Sequence, residues 1–274
     1  MALLNTVLGT LFDLLLSPFR SFHPMIGLTV VSTIAAVLML LGYRATSNQP
    51  AIEAVKRKIA AGLFEIRLFN DDLGAILRAQ RAILRHNLTY LGLNLAPMLV
   101  MIVPFFLVLA QLQFHYAYRG LAVGEVTTLR VTMADGVTVE PDSINVVTPE
   151  GVRIDSPRVW APSLNEAAWR LVAEAPGRHQ LDIQVGDASF TKSIVVSEAV
   201  ERRAPERLSP GFVNQLIYPA EAPLPDGAAV TAIRIDYPDR VVGLFGLQTH
   251  WMIVFFILTI AIAFALKGRF GVTI

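Results

Sequence analysis

The 274-residue sequence predicts an α-helical membrane protein with three transmembrane helices, a cytoplasmic helical hairpin and an extracytoplasmic β-sandwich (Ig-like) domain. Three observations predict it. The chain is 54% hydrophobic and only 16% charged, too apolar for an ordinary soluble domain. Three apolar segments, 25–43, 88–114 and 250–267, satisfy the bilayer requirement of roughly 20 apolar residues. Between the second and third lies a long run of β-branched, alternating segments punctuated by turn residues.

Residues 1–20, MALLNTVLGTLFDLLLSPFR, lack a basic leader and are interrupted by Asp13, so they do not read as a cleaved signal. Leu4, Val7, Leu8, Leu11, Leu14 and Leu15 fall at helical spacing and predict an outer interfacial amphipathic helix that stops at Ser17-Pro18. A tilted fourth crossing is the alternative. Residues 25–43 form the first transmembrane helix. In 51–87, Ile52, Val55, Ile59, Leu63 and Ile66 make one stripe. After the break at Asn70-Asp71-Asp72, a second stripe follows as Leu73, Ile76, Leu77, Ile83 and Leu84. Two stripes joined by a polar turn predict an antiparallel helical hairpin, with Asp71 or Asp72 capping its second helix. Residues 88–114 form the second transmembrane helix, longer than one crossing needs, so it should tilt or kink.

Residues 120–200 are expected to form the β-sandwich, with Trp169, Leu171, Leu181, Ile183 and Val185 on the inward faces of a hairpin around Pro176-Gly177. Residues 201–248 read as a proline-rich return segment with one strand and an interfacial stretch. Residues 250–267 form the third transmembrane helix, ended by Lys267 and Arg269. Arg44, Lys56, Arg57, Lys58, Arg67, Arg78, Arg81 and Arg85 outnumber Glu53, Glu65, Asp71 and Asp72 between the first two spans. The positive-inside rule makes this loop cytoplasmic, with the N-terminus outside and the C-terminus in the cytoplasm of a multi-pass inner-membrane protein. The basic outer face of the hairpin could touch anionic lipid, a ribosome or an acidic client, while a solvated face whose arginines set the topology is the more economical reading.

The second span carries Pro97 and Pro104. Each proline removes a donor and displaces the carbonyl four residues earlier, and in hydrocarbon that carbonyl needs a new partner. Pro97, Pro104 and Gln111 recur every seven residues, with Asn87 and Asn94 in an adjacent strip, so one side of this helix is polar. The first span offers Thr29, Ser32, Thr33 and, at its end, Tyr43 and Arg44. One reading is a groove between the spans that is open to the cytoplasm, with Arg44 at its mouth attracting acidic segments. The other is that these groups only bridge neighbouring helices.

The order of outer helix, span, basic hairpin "AIEAVKRKIAAGLFEIRLFNDDLGAILRAQRAILRHNLTY" and proline-containing span "NLTYLGLNLAPMLVMIVPFFLVLAQL" resembles the YidC-type membrane insertases, in particular their three-span archaeal and endoplasmic-reticulum branch. Asn87, Gly92, Pro97 and Pro104 look like counterparts of residues which that family carries here. Val103 stands where the family often has glutamine, and no arginine lies inside 25–43. The resemblance implies a groove that eases nascent or unfolded membrane-protein clients into the bilayer without nucleotide hydrolysis. The rival reading is a non-catalytic scaffold subunit of an envelope complex that presents the β-domain to a protein partner.

Other classes find little support. His23, His86, His115, His179 and His250 are scattered, there are no cysteines, and no metal-ligand spacing or nucleophile motif occurs, so neither an enzyme nor a cofactor is expected. A net charge of +1 and the lack of an aromatic platform argue against nucleic acid.

Overall fold

The computed structural model describes residues 2–136, 143–244 and 246–273. Residue 1 of the first helix, 137–142 of the expected β-domain and 245 of the return segment lie outside the described residues. The chain divides into two compact units, Met1–Leu28 with Leu109–Val254, and Thr29–Val108 with Phe255–Ile274.

The first unit opens with α1 (Ala2–Leu16), followed by a 3-10 turn (Ser17–Phe19) that begins where Pro18 can no longer donate to the helix. Phe12 and Leu16 are buried, while Leu3, Val7, Leu11 and Leu14 are exposed. Asp13 anchors the buried side. It accepts from Arg202 Nη2 at 3.0 Å and lies 3.0 Å from His115 Nε2, whose other ring nitrogen is 3.0 Å from the carbonyl of Gln111. Burial alone would raise the Asp13 carboxyl, but the His115 hydrogen bond and the Arg202 charge outweigh it and hold it below the usual aspartate range. A depressed carboxyl contributes stability that is complete above its unfolded value of about 3.9 and is lost as pH falls through the folded value. Amide exchange over α1, corrected for intrinsic rate, should therefore stay constant from about pH 7 to pH 5 and accelerate only below about pH 4. Acceleration already at pH 6 would show that Asp13 is not the anchor.

The β-domain has two antiparallel sheets whose inward faces meet in one core. The larger sheet runs β3 (Val152–Ile154), β5 (Glu166–Ala173), β1 (Val126–Met133), β9 (Val230–Ile235), β8 (Glu206–Leu208), with β4 (Val159–Ala161) also on β5. The smaller runs β2 (Ile144–Val147), β6 (Gly177–Val185), β7 (Ala188–Val196). Strand alternation explains the core: Leu129, Val131 and Met133 from β1, Trp169 and Leu171 from β5, and Leu181, Ile183 and Val185 from β6 all point inward. β6 and β7 are joined by a two-residue turn, Val185 pairing with Ala188, and Gly186 supplies the positive φ of 57° at its first position.

Two expectations change here. The segment around Pro176-Gly177 is a crossover and not a hairpin, because β5 pairs with β1, β3 and β4 whereas β6 pairs with β2 and β7. The return segment 201–248 contributes to the domain itself: β9 lies inside the larger sheet, β8 beside it, and a short helix α5 (Phe212–Ile217) intervenes. The stretch ahead of the last apolar helix is a hairpin, β10 (Val241–Leu244) with β11 (Leu247–His250).

A collar of arginines joins this domain to the end of the helix that precedes it. Arg203 is fully buried and donates to the carbonyls of Ala199 at 2.6 Å, Ser197 at 2.9 Å, Glu201 at 3.0 Å and Tyr118 at 3.3 Å. Arg240 donates to Glu198, Ala199 and Tyr118 at 3.2–3.3 Å. The Arg119 guanidinium grips Glu125 with two bonds of 2.7 and 2.6 Å, and the Arg203 amide donates to Phe114 O at 2.8 Å. Nearby, Lys192 is buried with its ammonium 2.5 Å from Glu221 and 2.6 Å from Ala204 O; burial lowers its pKa.

The second unit contains most of α2 (Pro24–Thr46), α3 (Gln49–Leu68), most of α4 (Leu73–Tyr116) and most of α6 (Trp251–Leu266). Asn48 caps α3 through Ala51 N at 3.1 Å, and Asp72 caps α4 through Gly74 and Ala75 N at 2.8 and 3.1 Å. α3 and α4 meet along small residues: a Cβ on Gly62 would stand 2.7 Å from Ile83 Cγ1, and Ala75 and Ala79 are buried. The larger leucines of the expected stripes, Leu63, Leu73, Leu77 and Leu84, are exposed instead, because a seam built on glycine and alanine leaves them no room.

A separate hairpin helix ending at 87 does not occur. α4 runs unbroken for 44 residues, about 66 Å: no proline stands near 87 to end it, and Asn87 and Thr89 turn their side chains back onto the Ile83 and Arg85 carbonyls of the same helix. Among the described residues two helices, α2 and α4, are long and apolar enough to cross a membrane. α6 has 16 residues, about 24 Å, against a hydrocarbon core of about 30 Å.

Candidate membrane-embedded site

Within the second unit, a polar contact joins α2 and α4. Tyr43, in the last turns of α2, donates its hydroxyl to Asn94 Oδ1 on α4, and the Asn94 amide donates to its own helix at Tyr90 O, 2.6 Å away. Both residues are half-buried. The helices approach closely beside them, where a Cβ on Gly42 would stand 2.6 Å from Met101 Sδ. Farther along α4, Phe105 packs on Phe255 and Phe256 of α6 with ring centroids 6.1 and 5.4 Å apart.

The expected groove residues are not gathered on one open face. Thr33 Oγ1 donates to Thr29 O at 2.8 Å, and Asn87 bonds within its own helix, so these groups are satisfied locally. Ser32 is buried with its hydroxyl unpartnered, as is Thr259 on α6. Pro97 is buried and Pro104 exposed, although the spacing places them on one side of the helix; what packs on α4 changes along its length. Gln111 belongs to the first unit, where it is 2% exposed and its Oε1 has no partner.

Arg44 does not stand free at a groove mouth. Its Nη1 donates to Phe270 O at 2.9 Å, and the Thr273 amide donates to Gln49 Oε1 at 2.7 Å, so the C-terminal turn is held against the end of α2 and the start of α3. The signal that could have marked this pairing is weak, because 226 residues separate Arg44 and Phe270.

What remains open is apolar. In α2's most apolar stretch 39% of residues are buried, against 6% in α4's. Leu91, Leu95, Leu99, Val103 and Phe106 are all more than half exposed. The site is therefore a largely uncovered apolar helix with one half-buried polar pair. It can hold a hydrophobic segment. Among the described residues, no three or more His, Cys, Asp or Glu side chains gather in a way that could hold a metal ion.

Removing the bridge tests how much it carries. Tyr43→Phe leaves Asn94 Oδ1 without its partner and should cost about 0.6 kcal/mol and at most about 1.7, the average and the maximum found for hydrogen bonds between membrane helices. Reversible unfolding in bicelles reads this; no change would mean that water replaces the tyrosine. No family model, curated protein or solved structure matches the chain.

Proposed function

We propose that the chain is a multi-pass inner-membrane protein of insertase or chaperone type that guides client segments into the bilayer along α4, without enzymatic chemistry. On this reading α2, α4 and α6 cross the membrane and the α3–α4 hairpin is cytoplasmic, facing a ribosome or anionic lipid. The N-terminus and an Ig-like β-sandwich lie outside, as the order of elements in YidC-type proteins implies. The observation that carries it is the uncovered apolar stretch of α4 beside the Tyr43–Asn94 pair. A client helix gains dispersion contacts along the open side, and a polar flank can exchange hydrogen bonds with the half-buried pair instead of facing lipid alone.

A second reading, a scaffold presenting the β-domain to an envelope partner, is favoured by a specific observation: Asn87, Asn94, Thr33 and Arg44 already have partners within the chain. A photoreactive residue at Leu99 or Val103, exposed on α4, separates the two during translation. Capture of many different nascent membrane proteins supports an insertase, whereas one constant adduct supports a scaffold and would overturn client handling.

A further inference from the structure

The first unit contains a cavity of about 190 Å³ between α1, α5 and the loop 219–223. Its walls include Thr6 and Thr10 of α1, Arg202, Gln215, Tyr218 and Glu221. We infer that it is a binding site for the uncharged, hydroxyl-rich headgroup of an amphiphile, such as a glycosyl lipid, whose chains run along the exposed stripe of α1. This rests on the reading that α1 lies in a membrane interface.

Three features select that ligand class. The first is charge. Arg202 is committed to Asp13 at 3.0 Å and Glu221 to buried Lys192 at 2.5 Å, so the two charged side chains on the wall are each neutralised by a partner. A phosphate would add an uncompensated anion beside the Glu221 carboxylate, which costs free energy when little water screens it. A neutral headgroup avoids this.

The second is hydrogen-bonding capacity and shape. Sugar hydroxyls both donate and accept, which suits a wall carrying a guanidinium, an amide, hydroxyls and a carboxylate. The Tyr218 ring, packed on Phe114 with centroids 6.2 Å apart, offers a fixed apolar surface to a ring face. A cavity of about 150 Å³ already accepts a benzene ring, so this one accommodates a six-membered ring bearing hydroxyls.

The third is placement on α1. At about 100° per residue, Thr6 and Thr10 fall on a flank between the buried residues Gly9, Phe12 and Leu16 and the exposed stripe of Leu3, Val7 and Leu14. A headgroup seated against the two threonines would have its apolar tail continue directly onto that stripe. A soluble sugar would leave the stripe unused.

The full chain in nanodiscs containing equal amounts of phosphatidylglycerol, phosphatidylethanolamine and monoglucosyldiacylglycerol, released into native mass spectrometry, tests the site. The glucosyl lipid is expected to be retained about tenfold over either phospholipid, a difference of about 1.4 kcal/mol. Thr6→Phe, which fills the cavity, and Gln215→Ala, which removes the amide but keeps the carbonyl that Asn5 binds at 2.6 Å, should both abolish that excess. Methyl glucoside, lacking chains, should bind at least about tenfold more weakly than the lipid. Equal retention of all three lipids, or an excess untouched by both variants, would overturn the headgroup assignment. Equal binding of methyl glucoside would overturn the lipid. Relaxation of a spin label at Leu11→Cys, in a chain without other cysteines, reports separately whether α1 lies in the interface.

Discussion

Arg203→Met is expected to destabilise the first unit by about 3–5 kcal/mol, the cost of stripping a fully buried guanidinium from the carbonyls it satisfies. Ser197 and Glu201 carbonyls lose a partner outright, while Arg240 still reaches those of Tyr118 and Ala199. In a unit of this size each kcal/mol is worth about 2–4 °C, so the melting transition should fall by about 10 °C. Tryptophan fluorescence of the full chain in detergent reads it, since Trp169 sits in the core at 5% exposure. Arg234→Gln is the control: its bond to Glu206 at 3.3 Å is partly exposed and should be worth at most about 1 kcal/mol. A loss for Arg203→Met no larger than for the control would refute the collar.

Arg203 also has a pH signature. Burial first, and then the neighbouring Arg240 charge, lowers its pKa to about 10, so it remains charged at neutral pH. A guanidinium whose pKa is lowered in the folded state holds its proton less tightly there than in the unfolded chain. Its burial penalty is therefore full below about pH 10 and fades as the pH rises past it, so stability increases with pH here as it does for Asp13, only in an alkaline window. The hydrogen bonds of the charged form offset only part of that penalty.

Gly120→Ala is the second large effect. A Cβ there would stand 2.0 Å from Ser197 O and 2.9 Å from Arg203 Nε and Nη2. The first contact is with backbone, so no rotamer change relieves it, and the chain must shift at a cost of about 3 kcal/mol. Because both substitutions disturb the Ser197–Arg203 contact, the double variant should lose less than the sum of the two. Strict additivity in a double-mutant cycle would mean that the two residues act at separate places.

Some of this was legible in the residues. Ser17-Pro18 marks the end of α1, Asp72 caps α4, and the alternation in "WRLVAEAPGRHQLDIQVG" identifies buried Trp169, Leu171, Leu181, Ile183 and Val185. Alternation names a face but not a pairing partner, so it could not tell that β5 and β6 enter different sheets. The prolines from 205 to 225 made that stretch read as a tether, and they masked β8. Nothing in the sequence marks Arg203 and Arg240 as buried, because burial of a guanidinium depends on carbonyls that come from distant parts of the chain. At the candidate site the polar strip was visible as spacing. The satisfaction of each member was not, since Asn94 needs Tyr43 and Arg44 needs Phe270, and helical periodicity says nothing about either partner.

The position of β9 has a consequence for the order of events during synthesis. β1 pairs with β5 on one side and with β9 on the other, and Val131 meets Ile233 about a hundred residues later in the chain. At about 5–20 residues per second, a ribosome takes roughly 5–20 s to make the intervening chain. For that time the hydrophobic strand β1 keeps one open edge, the arrangement most prone to pairing with the wrong chain. The slow, non-local closure of this sheet sets the window in which a nascent β-domain must be shielded, whatever its helices have already done.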